Sequence, residues 1–230
     1  MTWRVMTWNI RGSARPDPDR IAEVIAGQQP DVVALQEVRR GQARALAAAL
    51  GWRHVWTRKH YPYTPLAWWT AEGLAILSPH PLESTTSRSL TPGTSTWTYR
   101  HRVVLIATVR RGEESLRVHD THLAAHHQPD ARIDQAGRIA SIIGDESVPV
   151  IVAGDLNADG EVEVIRPFHA VGLRDAGSGP THPSTSPRRR FDYVLVPARA
   201  TVVDAHVPDG GDAWRELSDH LPLTVELVPG

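Results

Sequence analysis

The 230-residue chain contains no cysteine. That excludes disulfides, zinc–thiolate centres and a cysteine nucleophile together. It also lacks a long apolar run. The opening stretch, "MTWRVMTWNIRG", is interrupted every few residues by a polar group. No signal peptide or membrane span is expected, and a cytoplasmic protein is the default expectation. Neither sign of charge predominates: 25 Lys and Arg stand against 26 Asp and Glu, a formal net charge of −1. There is no global cationic field to gather nucleic acid or anionic lipid, so a metal or a few arginines must draw in any anionic substrate. Internal repeats and low-complexity tracts are missing as well.

What is present suits one large globular domain, expected over residues 1–230, with 41% hydrophobic residues for its core. Trp3 to Ile10 alternates as a strand would, and "DVVALQE", "GLAILS" and "PVIVAGD" are apolar runs of strand length. "RVVLIATVRR" and "SLRVHDTHL" form a hairpin around Arg111-Gly112, and "FDYVLVP", "TVVDAHV" and "LPLTVELV" are three final strands. Helical spacing appears at Ile21, Val24 and Ile25, a segment expected to stop at Gly27 and Pro30, and in "GQARALAAALG", ending on Gly51. A third helix, "PDARIDQAGRIASIIG", is expected to turn Ile133, Gly137, Ala140 and Ile143 to one face, and "EVEVIRPFHAVGL" reads as partly helical. Trp52 to Thr70 reads as a long loop with a strand at its start, and Pro79 to Thr98 as a loop with one edge strand. Strands outnumber helices, which suggests two β-sheets packed together with helices outside.

Several apolar strands run into residues that can bind a metal or handle a proton. "TWNIRG" brings Asn9, "DVVALQEVR" brings Glu37, "SLRVHDTHL" ends with His122, and "PVIVAGDLN" ends with Asp155 and Asn157. "RRRFDYVLV" begins its strand with Asp192, and "ELSDHLPLTVEL" begins its strand with Asp219 and His220. Any one of these alone reads as a turn residue or a solvated strand end. Together they could form one polar pocket at the rim of rigid sheets. Hard oxygen ligands without cysteine suit Mg²⁺ or Mn²⁺, which keeps open positions for water and phosphate oxygens. A metal, a carboxylate base and imidazoles are the equipment for attacking phosphorus with water.

In order and in combination, "TWNIRG", "LQEV", "GLAILS", "THL", "GDLNA", "FDYVLV" and "SDHLP" resemble the endonuclease/exonuclease/phosphatase superfamily, the fold group of deoxyribonuclease I, from about residue 3 to residue 228. The resemblance implies an α/β (α+β) fold, a four-layer α-β-β-α sandwich of two packed, mainly antiparallel mixed sheets flanked by helices, with the site at one edge. It implies Glu37 as principal metal ligand, Asn9 and Asp219 as further groups at the metal, and Mg²⁺ or Mn²⁺ as cofactor. Asp155 would orient or deprotonate the attacking water, Asn157 would hydrogen-bond the phosphate, and His220 would contact a phosphate oxygen. Asp192 would pair with His220, and His122 would be a candidate general acid. Two departures stand out. Abasic-site endonucleases usually carry tyrosine where His122 stands, which sides this chain with the deoxyribonuclease and sphingomyelinase branch. The family often has Asn where Asp120 stands; the strand period puts Asp120 on the face of His122, where it would either raise the imidazole's pKa or stand solvated. Glu72 is a weaker candidate for orienting His122.

Substrate is less legible. "WRHVWTRKHYPYTPLAWW" mixes aromatics with cations, and Trp68 and Trp69 are candidate substrate contacts. "SPRRRFDY" sets Arg190 beside Asp192 as a phosphate-attracting candidate, joined by Arg39 and Arg102. A nucleic-acid phosphodiester, DNA or RNA, is the first expectation. The alternatives are a small-molecule, inositol-phosphate or lipid head-group ester, and a non-catalytic binding module on the same fold. His126 and His127 match no tight metal motif. No obligate protein partner is evident, and a monomer is expected.

Overall fold

The computed structural model describes every residue except 62–64, 145–147 and 178, with the backbone alone for Pro65 and Trp68. The described elements run β1 (Trp3–Asn9), α1 (Pro18–Gln28), β2 (Val32–Arg39), α2 (Arg40–Leu50), β3 (Arg53–Arg58), β4 (Glu72–Ser78), β5 (Leu82–Ser89), β6 (Val103–Arg111), β7 (Glu114–His122), α3 (Pro129–Ile142), β8 (Val150–Asp155), α4 (Val162–Ala170), β9 (Leu173–Asp175), β10 (Asp192–Pro197), β11 (Thr201–His206) and β12 (Leu223–Val228). Short 3₁₀ turns fill some of the loops. Two six-stranded sheets form, ordered β11-β12-β1-β2-β4-β3 and β5-β6-β7-β8-β10-β9. Each contains one parallel pair, β1 with β2 and β7 with β8, bridged by α1 and α3 as a parallel crossover requires. The remaining pairs are antiparallel.

Side-chain alternation builds the four layers. On the first sheet, Val5 and Ala34 face the second sheet, while Met6, Trp8 and Leu35 lie beneath Ile25 of α1 and Leu46 of α2. On the second, Val118, Ile151 and Val194 face inward, and Val152 and Leu195 lie beneath Ile139 of α3 and Phe168 of α4. Each large aliphatic side chain sealed in this way contributes about 1.5–3 kcal/mol. The result is the α-β-β-α sandwich that the strand and helix pattern implied.

The same alternation positions the polar strand ends. Val5, Thr7 and Asn9 share a face of β1; Val118, Asp120 and His122 share one on β7; Ile151, Ala153 and Asp155 share one on β8. All three are the inward faces. Pairing sets His122 opposite Asp155, and Asp155 opposite Asp192 on β10. The apolar core between the sheets thus ends at one rim in a rank of polar residues.

Local differences from the sequence pattern have physical causes. Gly27 lies inside α1, which stops instead at Gln29 in the left-handed conformation (φ 49°). Helix α3 buries Arg132, Gln135, Ala136, Ile139 and Ala140, a stripe rotated from the apolar one. The rotation follows from Gln135 accepting the Ala124 amide and Arg132 pairing with Glu161. The three-residue β9 is too short to leave a period. Asp219 and His220 sit in the turn before β12 rather than in the strand.

Candidate active site

Asp155 is the centre of the rank. Its Oδ2 accepts from Asn9 Nδ2 at 3.0 Å, bringing the end of β1 across to β8. His122 Nε2 lies 3.6 Å and His220 Nε2 3.8 Å from the same oxygen. The other oxygen, Oδ1, accepts the Asn157 backbone amide at 3.0 Å. Asn157 takes a left-handed backbone (φ 52°), which turns its amide group back over the strand end. Burial, with help from Asp192 and against the pull of His220, pushes the Asp155 carboxyl up to about 7.

His220 is held from both sides. Its Nδ1 donates to Asp192 Oδ2 at 2.8 Å, and that oxygen also accepts the Thr181 hydroxyl at 2.6 Å. Trp8 Nε1 donates to the His220 carbonyl at 2.9 Å, and Ser218 Oγ donates to the Asn9 carbonyl at 2.6 Å, tying the turn to β1. Burial would discharge the imidazole, but Asp192 and Asp155 together overrule it and raise the group to about 10. His220 is therefore a cation at neutral pH, with Asp192 fixing its ring.

Glu37 is displaced from its strand. A bulge between Gln36 and Val38 in the β2–β4 pairing leaves Glu37 with φ 55°, an unusual conformation for a side-chain-bearing residue. The bulge swings the carboxylate out to the rim, 3.8 Å from His122 Nδ1. Glu72 is pushed up by burial and then by Glu37. Two repelling carboxylates beside the Asn9 amide suit a hard divalent cation, and Asp219 lines the same cleft. Asp155, Asp192 and His220 also present ligand atoms within 4.8 Å of one another. A protonated imidazole has no lone pair to offer, so that group reads as an ion-paired triad. Of these carboxylates and imidazoles, all except Asp192 line a cleft of about 510 Å³, together with Lys59, His60, Tyr99, Arg102, His182 and Arg189.

The sequence profile of the endonuclease/exonuclease/phosphatase family matches residues 6–220, from β1 through His220. The chain belongs to this family. Solved members of similar fold include an endonuclease/exonuclease/phosphatase from Beutenbergia cavernae, 28% identical with TM-score 0.79, matched over 100% of this chain and 72% of that one. The human Nocturnin catalytic domain with bound sulfate is 23% identical at TM-score 0.76, covering 99% and 94%. A Bacteroides thetaiotaomicron mannosyl-6-phosphatase is 17% identical at TM-score 0.76, covering 98% and 99%. No curated protein sequence matches the chain.

Of the residues that the family motifs single out, Asn9, Glu37, His122, Asp155, Asn157, Asp219 and His220 line the cleft, and Asp192 stands directly behind His220. Arg102 lines it too. Arg39 does not: it sits at the start of α2, where its backbone amide donates to Gln42. Arg190 is committed to Asp175 through two bonds of 2.6 Å. Trp69 is 63% exposed and away from the cleft, and the Trp68 side chain lies outside the described residues. Asp120 contacts Gln36 between the sheets, and His122 is shifted well down by burial, Lys59 and Arg102 rather than up. Glu72 acts on Glu37. His126 lines the cleft and stacks on Phe191, with His127 edge-on to it. Sequence reasoning missed His182, whose ring lies 4.9 Å from that of His220, and Lys59. One signal pointed to Lys59: it is the only lysine among 25 basic residues.

Proposed function

We propose that this protein is a divalent-metal-dependent phosphoesterase that hydrolyses a phosphodiester, with nucleic acid as the first substrate class. The observation that carries the reading is the meeting of Asn9, His122 and His220 on one Asp155 oxygen, in the cleft lined by Glu37 and Asn157. Glu37, with Asn9 and Asp219, would hold Mg²⁺ or Mn²⁺, which neutralises phosphate oxygens and acidifies water when bound. Asp155, raised toward neutrality, takes the proton of the attacking water. The His220 cation and the Asn157 amide hold the non-bridging oxygens as negative charge builds on them. His122 accepts from Lys59 at Nδ1, which leaves its proton on Nε2, facing the reacting centre. As the bond to the leaving oxygen breaks, the Nε2–H of neutral His122 hydrogen-bonds that oxygen, and the proton itself comes from solvent water.

Nucleic acid is supported by an aromatic cluster that adjoins the cleft residues His60 and Tyr99 in sequence. Tyr61 stacks on Trp97 at 4.2 Å, Arg58 covers Tyr61 at 3.5 Å, and Tyr99 lines the cleft. A small phosphate ester is the second reading, favoured by the near-neutral charge. The test is turnover with Mg²⁺ of single-stranded oligonucleotides, bis(p-nitrophenyl) phosphate and p-nitrophenyl phosphate, each repeated with EDTA. Chelator-sensitive cleavage of the diesters supports the proposal. Phosphate release from the monoester alone transfers the protein to the second reading, and no turnover of any of them removes the phosphoesterase reading.

A further inference from the structure

One wall of the cleft carries more positive charge than the reaction uses. Lys59 and Arg102 are 4% and 6% exposed, yet both open onto the cleft. Among the described residues, neither has a carboxylate within ion-pairing distance. Lys59 Nζ has only His122 Nδ1, at 3.4 Å. Arg102 Nη1 donates to the Tyr99 carbonyl at 2.5 Å, and its buried Nε has no partner. Burial, and then Arg102, lowers the Lys59 ammonium, and burial lowers Arg102; the more distant carboxylates of Glu37, Glu72 and Asp155 pull both the other way without overcoming it. Two desolvated cations that repel each other cost stability unless something negative completes them.

Position says what that something is. His122 stands between Lys59 at its Nδ1 and Asp155 at its Nε2. Lys59 is therefore one imidazole width from Asp155, on the Glu37 side of His122, and Arg102 lines the same cleft, an arrangement that suits a phosphate next to the reacting one. A planar guanidinium and an ammonium fit a tetrahedral oxyanion by charge and by hydrogen-bond count. Beyond the hydrogen bond from Lys59 to His122, neither cation has a task in the reaction, so the two mark a site beside it.

We propose that Lys59 and Arg102 form a second anion subsite, which takes a phosphate group of the substrate adjacent to the scissile one. The preferred substrate thus carries at least two phosphates in neighbouring positions, such as a phosphorylated dinucleotide end. The kinetic half of this inference rests on the phosphoesterase reading; the binding half does not.

Because the chain has one lysine, selective ¹³Cε-lysine labelling gives one side-chain resonance. Inorganic pyrophosphate added to metal-free protein is expected to shift that resonance saturably, while chloride at equal ionic strength does not. Arg102→Met weakens the titration tenfold or more. In the kinetic arm, the thymidine dinucleotide is compared with its 5′- and 3′-phosphorylated forms. One phosphorylated form is expected to be favoured at least tenfold in kcat/KM, mainly through KM, and Lys59→Met and Arg102→Met each bring the ratio near one. Lys59→Met keeps the length of the stem and removes an unpaired buried charge, so its melting temperature is expected at or above wild type. A Lys59 resonance indifferent to pyrophosphate, or equally responsive in Arg102→Met, overturns the subsite. So does a phosphate preference that survives both substitutions. Binding without turnover of any dinucleotide leaves the subsite standing and removes the phosphoesterase reading instead.

Discussion

At the scale of single residues, Asp155 carries the most. An asparagine keeps the shape of Asp155 and one of its two acceptor contacts, to the Asn9 amide or to the Asn157 backbone amide. Asp155→Asn is therefore expected to fold as wild type by circular dichroism while its turnover with Mg²⁺ falls by about 10²–10⁴, the usual contribution of a positioned base. Turnover within threefold of wild type would remove the base from Asp155. The residues around it were legible in the chain because each ends or abuts a strand, where an apolar run makes a polar residue conspicuous. Lys59 and His182 were not. Both sit where cations or turn residues crowd together, and only the folded chain shows which of them faces the cleft. Arg190 misled for the converse reason: two residues before Asp192 in sequence, it lies ahead of β10 and is committed to Asp175 at the end of β9.

At the scale of elements, the rank just beneath the active site holds the sheets in register. Gln36 Nε2 donates to Thr7 Oγ1 at 3.0 Å and to Asp120 Oδ1 at 2.7 Å, while Asp120 Oδ2 is buried without a partner. Burial raises the Asp120 carboxyl well above its ordinary 3.8, against the pull of the Gln36 amide and of the nearby Ala75 backbone. Below that ordinary value, folded and unfolded chains both hold the proton. Above it the unfolded chain releases a proton that the fold retains, so stability falls as pH rises toward the folded value. Asp120→Asn has no such proton. Its melting temperature is expected to match wild type near pH 4 and to exceed it by about a few degrees at pH 8. A difference independent of pH would mean that Asp120 is ionised in the fold. The bulge at Glu37 gives a second prediction. A Cβ on Gly12 would run into the Glu37 carbonyl and the Gln42 side chain. Gly12→Ala is therefore expected to cost about 1–3 kcal/mol and to raise the Mg²⁺ concentration for half-maximal activity about tenfold. An unchanged Mg²⁺ titration would uncouple the bulge from the metal. Nothing in "LQEV" announces a bulge, since a one-residue insertion in a ladder is a property of the pairing and not of the strand. Strand-length apolar runs, by contrast, are written in each strand, which is why two packed sheets could be read in advance.

At the scale of the whole molecule, the near balance of 25 basic and 26 acidic residues limits how a polyanion can be held. The cleft offers Arg11, Lys59, Arg102 and Arg189, and Arg11 already lies 3.4 Å from Asp219. Apart from His220, whose charge is paired with Asp192, three cations are left to meet phosphates. Single strands release about 0.7 counterion per phosphate neutralised, so the slope of log kcat/KM against log salt should be no steeper than about −2. Affinity should also stop growing once the chain of phosphates fills the cleft. Lengthening an oligonucleotide from about four to about twenty residues should then raise kcat/KM per bond by less than about threefold, because no cationic field extends the track. Both quantities come from one set of initial-rate measurements at fixed Mg²⁺ and varied KCl. A steep slope with a strong gain in length would require a cationic track beyond the cleft. The arginine run at 188–190 would be the first place to seek it, and Arg188→Gln should then flatten both curves. A shallow slope with no gain in length agrees with a site that holds two neighbouring phosphates and ignores the rest of the polymer.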